Sequence, residues 1–459
     1  MSRDGVVPGS FRDPNGFVFR RGGRLYRQVN QRYREEYDRL MQSGLYGELA
    51  RDRFLIPHVE VEIERAASDD AYRVLQPQEL AFISYPYEWC FGQLKRAALL
   101  TLDIQARALN FGMSLKDASA YNIQFANGEP VLIDSLSFEI YKEGQPWVAY
   151  RQFCQHFLAP LALMALADIR LQQLNRVYLD GIPLDLASRL LPLHSRANLG
   201  LLAHLFLHAQ AQKHMGTPPR ARQGTMARTS LLGLVDSLKS TIQKLEWVPQ
   251  GTEWHDYYAT SSYTTAGLQA KMQVVAEMLS QVTPAPKMVW DLGANTGRFS
   301  RIVSERGIQT IALDGDPAAV EKNFRNVVAH REQNLLPLCL DLTNPSPAAG
   351  WENQERMSLC ERGPADVVLA LALIHHLAIG NNLPFARIAG FFSRIGRSLI
   401  LEFVPKDDPQ VQRLLANRED IFDRYRQDDL ERDFGEQFQI LRQEKIADMN
   451  RTVYLMVRR

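Results

Sequence analysis

The stretch Val289-Trp-Asp-Leu-Gly-Ala-Asn-Thr-Gly-Arg-Phe-Ser300 holds the residue types best suited to chemistry: Asp291, Gly293, Asn295 and Gly297. An apolar run ends in Asp291, passes the two glycines, and enters a segment of helix formers. Glycine lets a ligand approach the backbone where a Cβ would block it, and it opens dihedrals closed to other residues. At the carboxyl end of a parallel strand such a loop makes a nucleotide-type site. Two acids follow at comparable positions. Thr310-Ile-Ala-Leu runs into Asp314, placed to accept hydrogen bonds from ribose hydroxyls, and Leu338-Cys-Leu runs into Asp341, where an adenine amino group could be met. Asp316 is either a second ribose contact or the cap of a helix starting at Pro317, since Asp followed by Pro is a common helix start. Two further apolar runs end in His375-His376 and in Glu402. An imidazole titrating near working pH could take a proton from a hydroxyl, or it could merely pack and hold its loop. Glu402 is expected to point into the same crevice, to position an acceptor, orient a histidine or bind a backbone group.

The elements around these residues alternate. Strand-like apolar runs at Met288–Leu292, Thr310–Leu313, Leu338–Leu342, Val367–Leu371 and Leu399–Val404 are separated mostly by helical stretches near 298–306, 317–330 and 384–395. Short strands alternating with helices predict βαβ units, a parallel sheet and an α/β fold. Phe438–Leu441 and Val453–Val457 leave no room between them for a long helix, which predicts an antiparallel pair at a sheet edge.

This ordered set resembles the class I S-adenosylmethionine-dependent methyltransferases, with a Rossmann-like, seven-stranded domain. The resemblance covers about 285–405, and the antiparallel tail fits the last two strands of that family. It implies S-adenosyl-L-methionine as cofactor. The loop of Asp291, Gly293, Asn295 and Gly297 would carry the methionine part, Asp314 the ribose and Asp341 the adenine, and the histidine pair would lie beside the sulfonium. A dinucleotide-binding dehydrogenase is the competing pattern, but its fingerprint has a glycine two residues after the first, where this chain has Asn295. No Asn/Asp-Pro-Pro-aromatic tetrapeptide of the amino-methylating nucleic-acid enzymes follows the fourth strand. Neither Cys339 nor Cys360 has a Pro-Cys or Ser-Cys context. The expected acceptor is an oxygen of a small molecule or carbohydrate.

The first half is mixed. Gly16–Tyr26 predicts a hairpin turning at Gly22-Gly23, residues 92–110 and 150–175 predict helices, and Val131–Asp134 a short strand ending in an acid. Arg20, Arg21, Arg24 and Arg27 in the hairpin either meet an anionic substrate or form a solvated face. Asp117, Asn122 and, beyond a second hairpin, Asp134 resemble the catalytic loop and metal site of protein-kinase-like phosphotransferases, with Ser84-Tyr85-Pro86 as the hinge. That resemblance implies Asp117 as the base and Asn122 and Asp134 as magnesium ligands. The departures are large: no lysine precedes the hinge, no GxGxxG loop is present, and Ser135-Leu136 follows Asp134. Arg27 could take the lysine's place, although guanidinium for ammonium is not a conservative change. Ser114–Phe138, Trp254–Tyr258 and Asp291–Ser300 together resemble a bacterial group of two-part methyltransferases that includes nodulation-associated proteins.

Composition bounds the rest. The 459 residues suggest two or three domains; apolar residues are 46% and charged residues 23%, as in a globular protein. Lys+Arg 53 against Asp+Glu 52 gives a formal charge of +1, so no basic nucleic-acid surface is advertised. The four scattered cysteines form no CxxC pair, and no metal centre is expected. The polar start lacks a signal pattern, and Phe157–Ala167 is shorter than the ~20 apolar residues a membrane span needs. We therefore expect a cytoplasmic protein with an α+β, kinase-like acceptor-recognition domain at 1–212, a linker and connecting helix at 213–249, and a methyltransferase domain at 250–459. Trp254–Tyr258, with Ser261, Ser262 and Tyr263, is expected either to close over the cofactor or to pack the linker.

Overall fold

A computed structural model describes residues 4–209, 226–250, 265–416 and 418–459. The segment Trp254–Tyr258, with Ser261, Ser262 and Tyr263, and residues 213–225 of the expected linker lie outside the described residues. The chain divides into two units, Met1–Val248 with Gly350–Glu355, and Pro249–Ala349 with Arg356–Arg459.

In the first unit, β1 (Gly5–Val6), β2 (Gly16–Arg21), β3 (Arg24–Asn30), β4 (His58–Val61) and β5 (Ala71–Pro77) form an antiparallel sheet in the order β1-β2-β3-β5-β4. The β2–β3 hairpin turns at Gly22-Gly23, both at positive φ, as expected. Its arginines are engaged separately, Arg20 by Glu79 at 3.0 Å and Arg27 by Asp134 at 2.6 Å. The helix Phe91–Asn110 buries Leu94, Ala97, Ala98 and Ile104. After it, β6 (Met113–Leu115) pairs with β9 (Phe138–Ile140), and β7 (Ile123–Ala126) pairs with β8 (Glu129–Leu132). The β7–β8 turn is Asn127-Gly128, both at positive φ, as a two-residue hairpin requires. The expected strand Val131–Asp134 thus begins earlier and stops at Leu132. Asp134 instead folds its carboxylate onto the Leu136 N–H at 2.8 Å, a local turn bond that competes with a strand.

The expected helix 150–175 breaks after Leu166, and Asp168 caps a new turn by accepting from the Arg170 N–H at 2.8 Å. The helix Arg228–Gln243 belongs to the first unit. Its face lies against Phe91–Asn110, where Lys95 Nζ donates to the carbonyls of Gln243 and Leu245 at 2.9 and 2.7 Å, and Lys239 pairs with Asp103 at 2.5 Å.

The second unit holds β10 (Met288–Leu292), β11 (Gln309–Asp314), β12 (Leu335–Cys339), β13 (Ala365–Ala370), β14 (Gly396–Phe403), β15 (Phe438–Lys445) and β16 (Thr452–Arg458). They form one sheet in the order β12-β11-β10-β13-β14-β16-β15, with the first five parallel and β16 antiparallel to both neighbours. Val289, Val367, Leu369, Ile400, Val453 and Leu455 from the sheet pack with Val275 and Met278 of the helix Thr265–Gln281 and with Phe299 and Val303. The third strand differs from expectation: it starts at Leu335, includes Pro337 and ends at Cys339. Pro337 is tolerated because β12 is an edge strand. The order reverses beside β10, which opens a crevice outside the carboxyl ends of β10, β11 and β13.

Candidate functional site

The loop after β10 is left-handed three times, at Gly293 (φ 73°), Asn295 (φ 49°) and Gly297 (φ 79°). Hydrogen bonds pin it to the neighbouring strand: the amides of Gly293 and Ala294 donate to the Leu313 carbonyl at 2.8 and 3.1 Å. The Asn295 N–H donates to Asp314 Oδ2 at 2.7 Å, and the Asp316 N–H to Asp314 Oδ1 at 2.8 Å. Each oxygen of Asp314 thus takes one backbone donor and keeps a lone pair for another. Asp316 accepts from the amides of Ala318 and Ala319 at 2.8 and 3.2 Å, so it caps the helix Pro317–His330. Asp291 is buried at the end of β10 and accepts from Ser300 Oγ at 2.6 Å. Loss of solvent pushes both Asp291 and Asp314 up to about 6. Asp341 lies two residues beyond β12, exposed, with Oδ1 accepting from the Thr343 N–H and hydroxyl at 2.8 and 2.7 Å.

The loop after β13 faces the glycine loop. Ala372 sits at φ 52°, and the side chain of Leu373 comes within 3.3 Å of where a Cβ on Gly293 would stand. His375 is wholly buried, and neither ring nitrogen has a hydrogen-bond partner among the described residues. Burial holds its pKa well below the usual histidine range, so it is neutral and withdrawn from the crevice. His376, half-buried with its ring 4.1 Å from that of His375, is pushed down to about 4 by burial and then by the charge of Arg451. Glu402 does not point into the crevice as expected: it is 0% exposed. Its Oε2 accepts from Lys271 Nζ at 2.5 Å and from the Ala372 N–H at 2.6 Å, and its Oε1 from Arg451 Nη1 at 3.3 Å. Burial alone would raise its pKa, but the charges of Lys271 and Arg451 outweigh that and hold it below the ordinary value.

In the first unit Asp117, Asn122 and Asp134 share one neighbourhood. Asn122 Nδ2 donates to Ser137 Oγ at 3.2 Å, and Ser137 Oγ donates to Asp134 Oδ2 at 3.0 Å. Asp117 accepts from the Ser119 N–H and Gln152 Nε2 at 2.9 and 2.8 Å. Burial, and then the charge of Asp134, raise the Asp117 pKa.

No family model matches the chain. Nodulation protein NoeA of Rhizobium meliloti (strain 1021) is 36% identical to it over 468 residues, spanning 99% of this chain and 97% of that protein. The chain belongs to the NoeA family. Among solved structures, magnesium protoporphyrin IX methyltransferase (ChlM) from Synechocystis PCC 6803 with bound SAM aligns with 45% of this NoeA-family chain and 89% of its own, at 18% identity and a TM-score of 0.31. The bifunctional kinase-methyltransferase WbdD aligns with 47% of it and 45% of its own, at 14% identity and a TM-score of 0.30. Family membership rests on the NoeA match alone.

Two residues of this NoeA-family site escape a reading for reactive motifs: Lys271 and Arg451, each 1% exposed. Lys271 carried a signal. On the helix Thr265–Gln281 the buried stripe is Gly267, Lys271, Val274 and Met278, so a lysine stands where helical spacing calls for an apolar residue. Arg451 carried none, because only the β14–β16 pairing brings it to Glu402. No described helix is long and apolar enough to cross a membrane.

Proposed function

We propose that the second unit binds S-adenosylmethionine and transfers its methyl group, and that the first unit selects or presents the acceptor. One observation carries the reading. The left-handed loop Gly293–Gly297 is joined through the Asn295 N–H to the carboxylate of Asp314, at the point where the parallel sheet reverses its strand order. The residues suit that cofactor. A Cβ at Gly293 would close the gap to Leu373, Asp314 keeps lone pairs for ribose hydroxyls, and the exposed Asp341 leaves Oδ2 for an adenine amino group. The strand order, with β16 reversed between β14 and β15, supports the seven-stranded class I methyltransferase fold. When bound, the cofactor supplies an electrophilic methyl group on a sulfonium.

The chain's own part is to orient. The glycine loop and Leu373 fix one side of the crevice, which favours in-line approach of an acceptor by proximity. His376, the more accessible imidazole, is neutral at pH 7 and would hydrogen-bond an acceptor rather than strongly attract its proton, given a pKa near 4. We propose an oxygen of a small molecule or carbohydrate as the acceptor and the cytoplasm as the compartment; the balanced charge of 53 basic and 52 acidic residues supports a substrate other than nucleic acid.

A second reading concerns the first unit. Its antiparallel sheet, long helix and the β6–β9 and β7–β8 pairs that present Asp117, Asn122 and Asp134 support a kinase-like scaffold. Arg27 Nη2 is 2.6 Å from Asp134 Oδ1, where the resemblance would put a metal ion. That ion pair favours a recognition module over an active phosphotransferase. Calorimetric titration with S-adenosylmethionine, S-adenosylhomocysteine and Mg-ATP separates the readings. Binding of the first two alone is expected; binding of Mg-ATP alone, abolished by Asp134→Asn, would refute the main claim and move the chemistry to the first unit.

A further inference from the structure

The buried charges of the second unit form one connected set. Lys271 Nζ stands 4.6 Å from the centre of the Phe299 ring, in the helix that Gly297 starts, and 2.5 Å from Glu402 Oε2. Arg451 bridges Glu402 Oε1 at 3.3 Å and Asp408 Oδ2 at 2.8 Å, and Asp408 also caps the helix Pro409–Leu415 through the Gln410 N–H at 2.9 Å. Two cations and two carboxylates balance. Among the described residues, the backbone group on Glu402 is the Ala372 N–H at 2.6 Å. Ala372 is left-handed at φ 52°, a conformation that a residue with a Cβ adopts only at a cost in strain. Its neighbour Leu373 is the side chain that meets the glycine loop at Gly293. Glu402 thus holds, from beneath, the turn that sets the distance between the two loops of the crevice.

We propose that Glu402, oriented by Lys271 and Arg451, is a positioning residue for the cofactor pocket: its bond to Ala372 keeps the loop after β13 in the left-handed turn that seats Leu373 against Gly293. The claim rests on the methyltransferase reading above and adds that cofactor affinity depends on a carboxylate that never touches the cofactor. A merely structural Glu402 would matter equally whatever residue occupies position 372. A positioning Glu402 matters less once glycine stands there, because glycine adopts the left-handed turn without the bond.

The test is a double-mutant cycle on the full chain, read by S-adenosylhomocysteine affinity in calorimetry and by the ligand-free thermal midpoint. Glu402→Asp keeps the charge but withdraws the carboxylate from Ala372. It should weaken binding about tenfold with Ala372 present and less than about threefold in the Ala372→Gly background. Equal losses in both backgrounds overturn the proposal. No binding by the wild-type chain overturns the methyltransferase reading itself, a distinguishable result. Amide exchange in the wild-type chain adds a variant-free check: the Ala372 N–H should be protected, and exchange as fast as that of an exposed loop amide sinks the inference.

Discussion

Alanine at Gly297 and alanine at Gly293 should behave differently, and the structure supplies the sizes. Both positions are left-handed, so each substitution costs about 1 kcal/mol in backbone strain. At Gly293 the new Cβ meets only the end of the Leu373 side chain at 3.3 Å, which can yield for a few tenths more. At Gly297 it would stand 2.5 Å from both amide atoms of Asn323 and 2.7 Å from Arg301 Nη1. Arg301 cannot step aside freely. Its Nε donates to Glu332 Oε1 at 2.8 Å, its Nη1 to the Thr296 carbonyl at 2.7 Å and its Nη2 to Asn323 Oδ1 at 3.0 Å. Losing one or two of these bonds adds about 1 kcal/mol each. The totals are about 1–1.5 kcal/mol for Gly293→Ala and about 2–3 kcal/mol for Gly297→Ala. At about 2–4 °C per kcal/mol for a unit of this size, calorimetric unfolding should show drops of about 2–6 °C and about 4–12 °C in the second unit's transition. Both variants should also lose S-adenosylhomocysteine binding by more than about tenfold. Equal midpoints, or a larger drop at Gly293, would refute the argument, since they would mean that the Arg301–Asn323 cluster moves without cost.

Asp291 has a folded pKa of about 6 against an ordinary 3.8, so its favourable contribution is complete below about 3.8 and is lost as the pH rises through about 6. Asp291→Asn should therefore raise the unfolding midpoint at pH 8 and leave it nearly unchanged at pH 4, as thermal scans between those limits would show. Arg27→Met strands Asp134, whose side chain is 15% exposed, and should cost the first unit about 1–3 kcal/mol in urea unfolding, with a smaller loss in the Asp134→Asn background. His375→Leu removes two ring nitrogens that have no partner in the interior, so stability should hold or rise by about 1 kcal/mol; a loss of 2 kcal/mol or more would mean that the imidazole is bonded.

Much of the second unit was legible because its signals are local. The run into Asp291, the spacing of Gly293 and Gly297, and the Asp-Pro start at 316–317 each depend on neighbours in sequence, and β10 and the helix Pro317–His330 begin and end where periodicity puts them. β12 was misplaced because Pro337 interrupts an apolar run; only the edge position of that strand, a property of the whole sheet, makes a proline acceptable there. Glu402 looked like a residue of the crevice because, like Asp291 and Asp314, it stands near the carboxyl end of a parallel strand. What buries it is Lys271 from 131 residues earlier and Arg451 from 49 later, partners that no local pattern announces. A connecting helix was legible within 213–249, where Arg228–Gln243 stands, yet local pattern does not say which unit that helix will cover. Asp117 and Asp134 were visible as residue types, whereas the pairing of Arg27 with Asp134 needed the β3 register.

The place of β16 bears on how the second unit is made. It is the last of the seven strands to be synthesised, but it lies inside the sheet, between β14 and β15. While the ribosome is still adding residues 404–451, the long edge of β14 stays unpaired and Glu402 lacks one of its two cations. β15 precedes β16 in the chain, but among the described strands it pairs with β16 alone, so it takes its place in the sheet only through β16. The five parallel strands therefore pass through a nascent state with an open apolar edge, the kind of surface that recruits other strands. Arrival of Arg451 and β16 closes that edge and neutralises the buried acid in the same step.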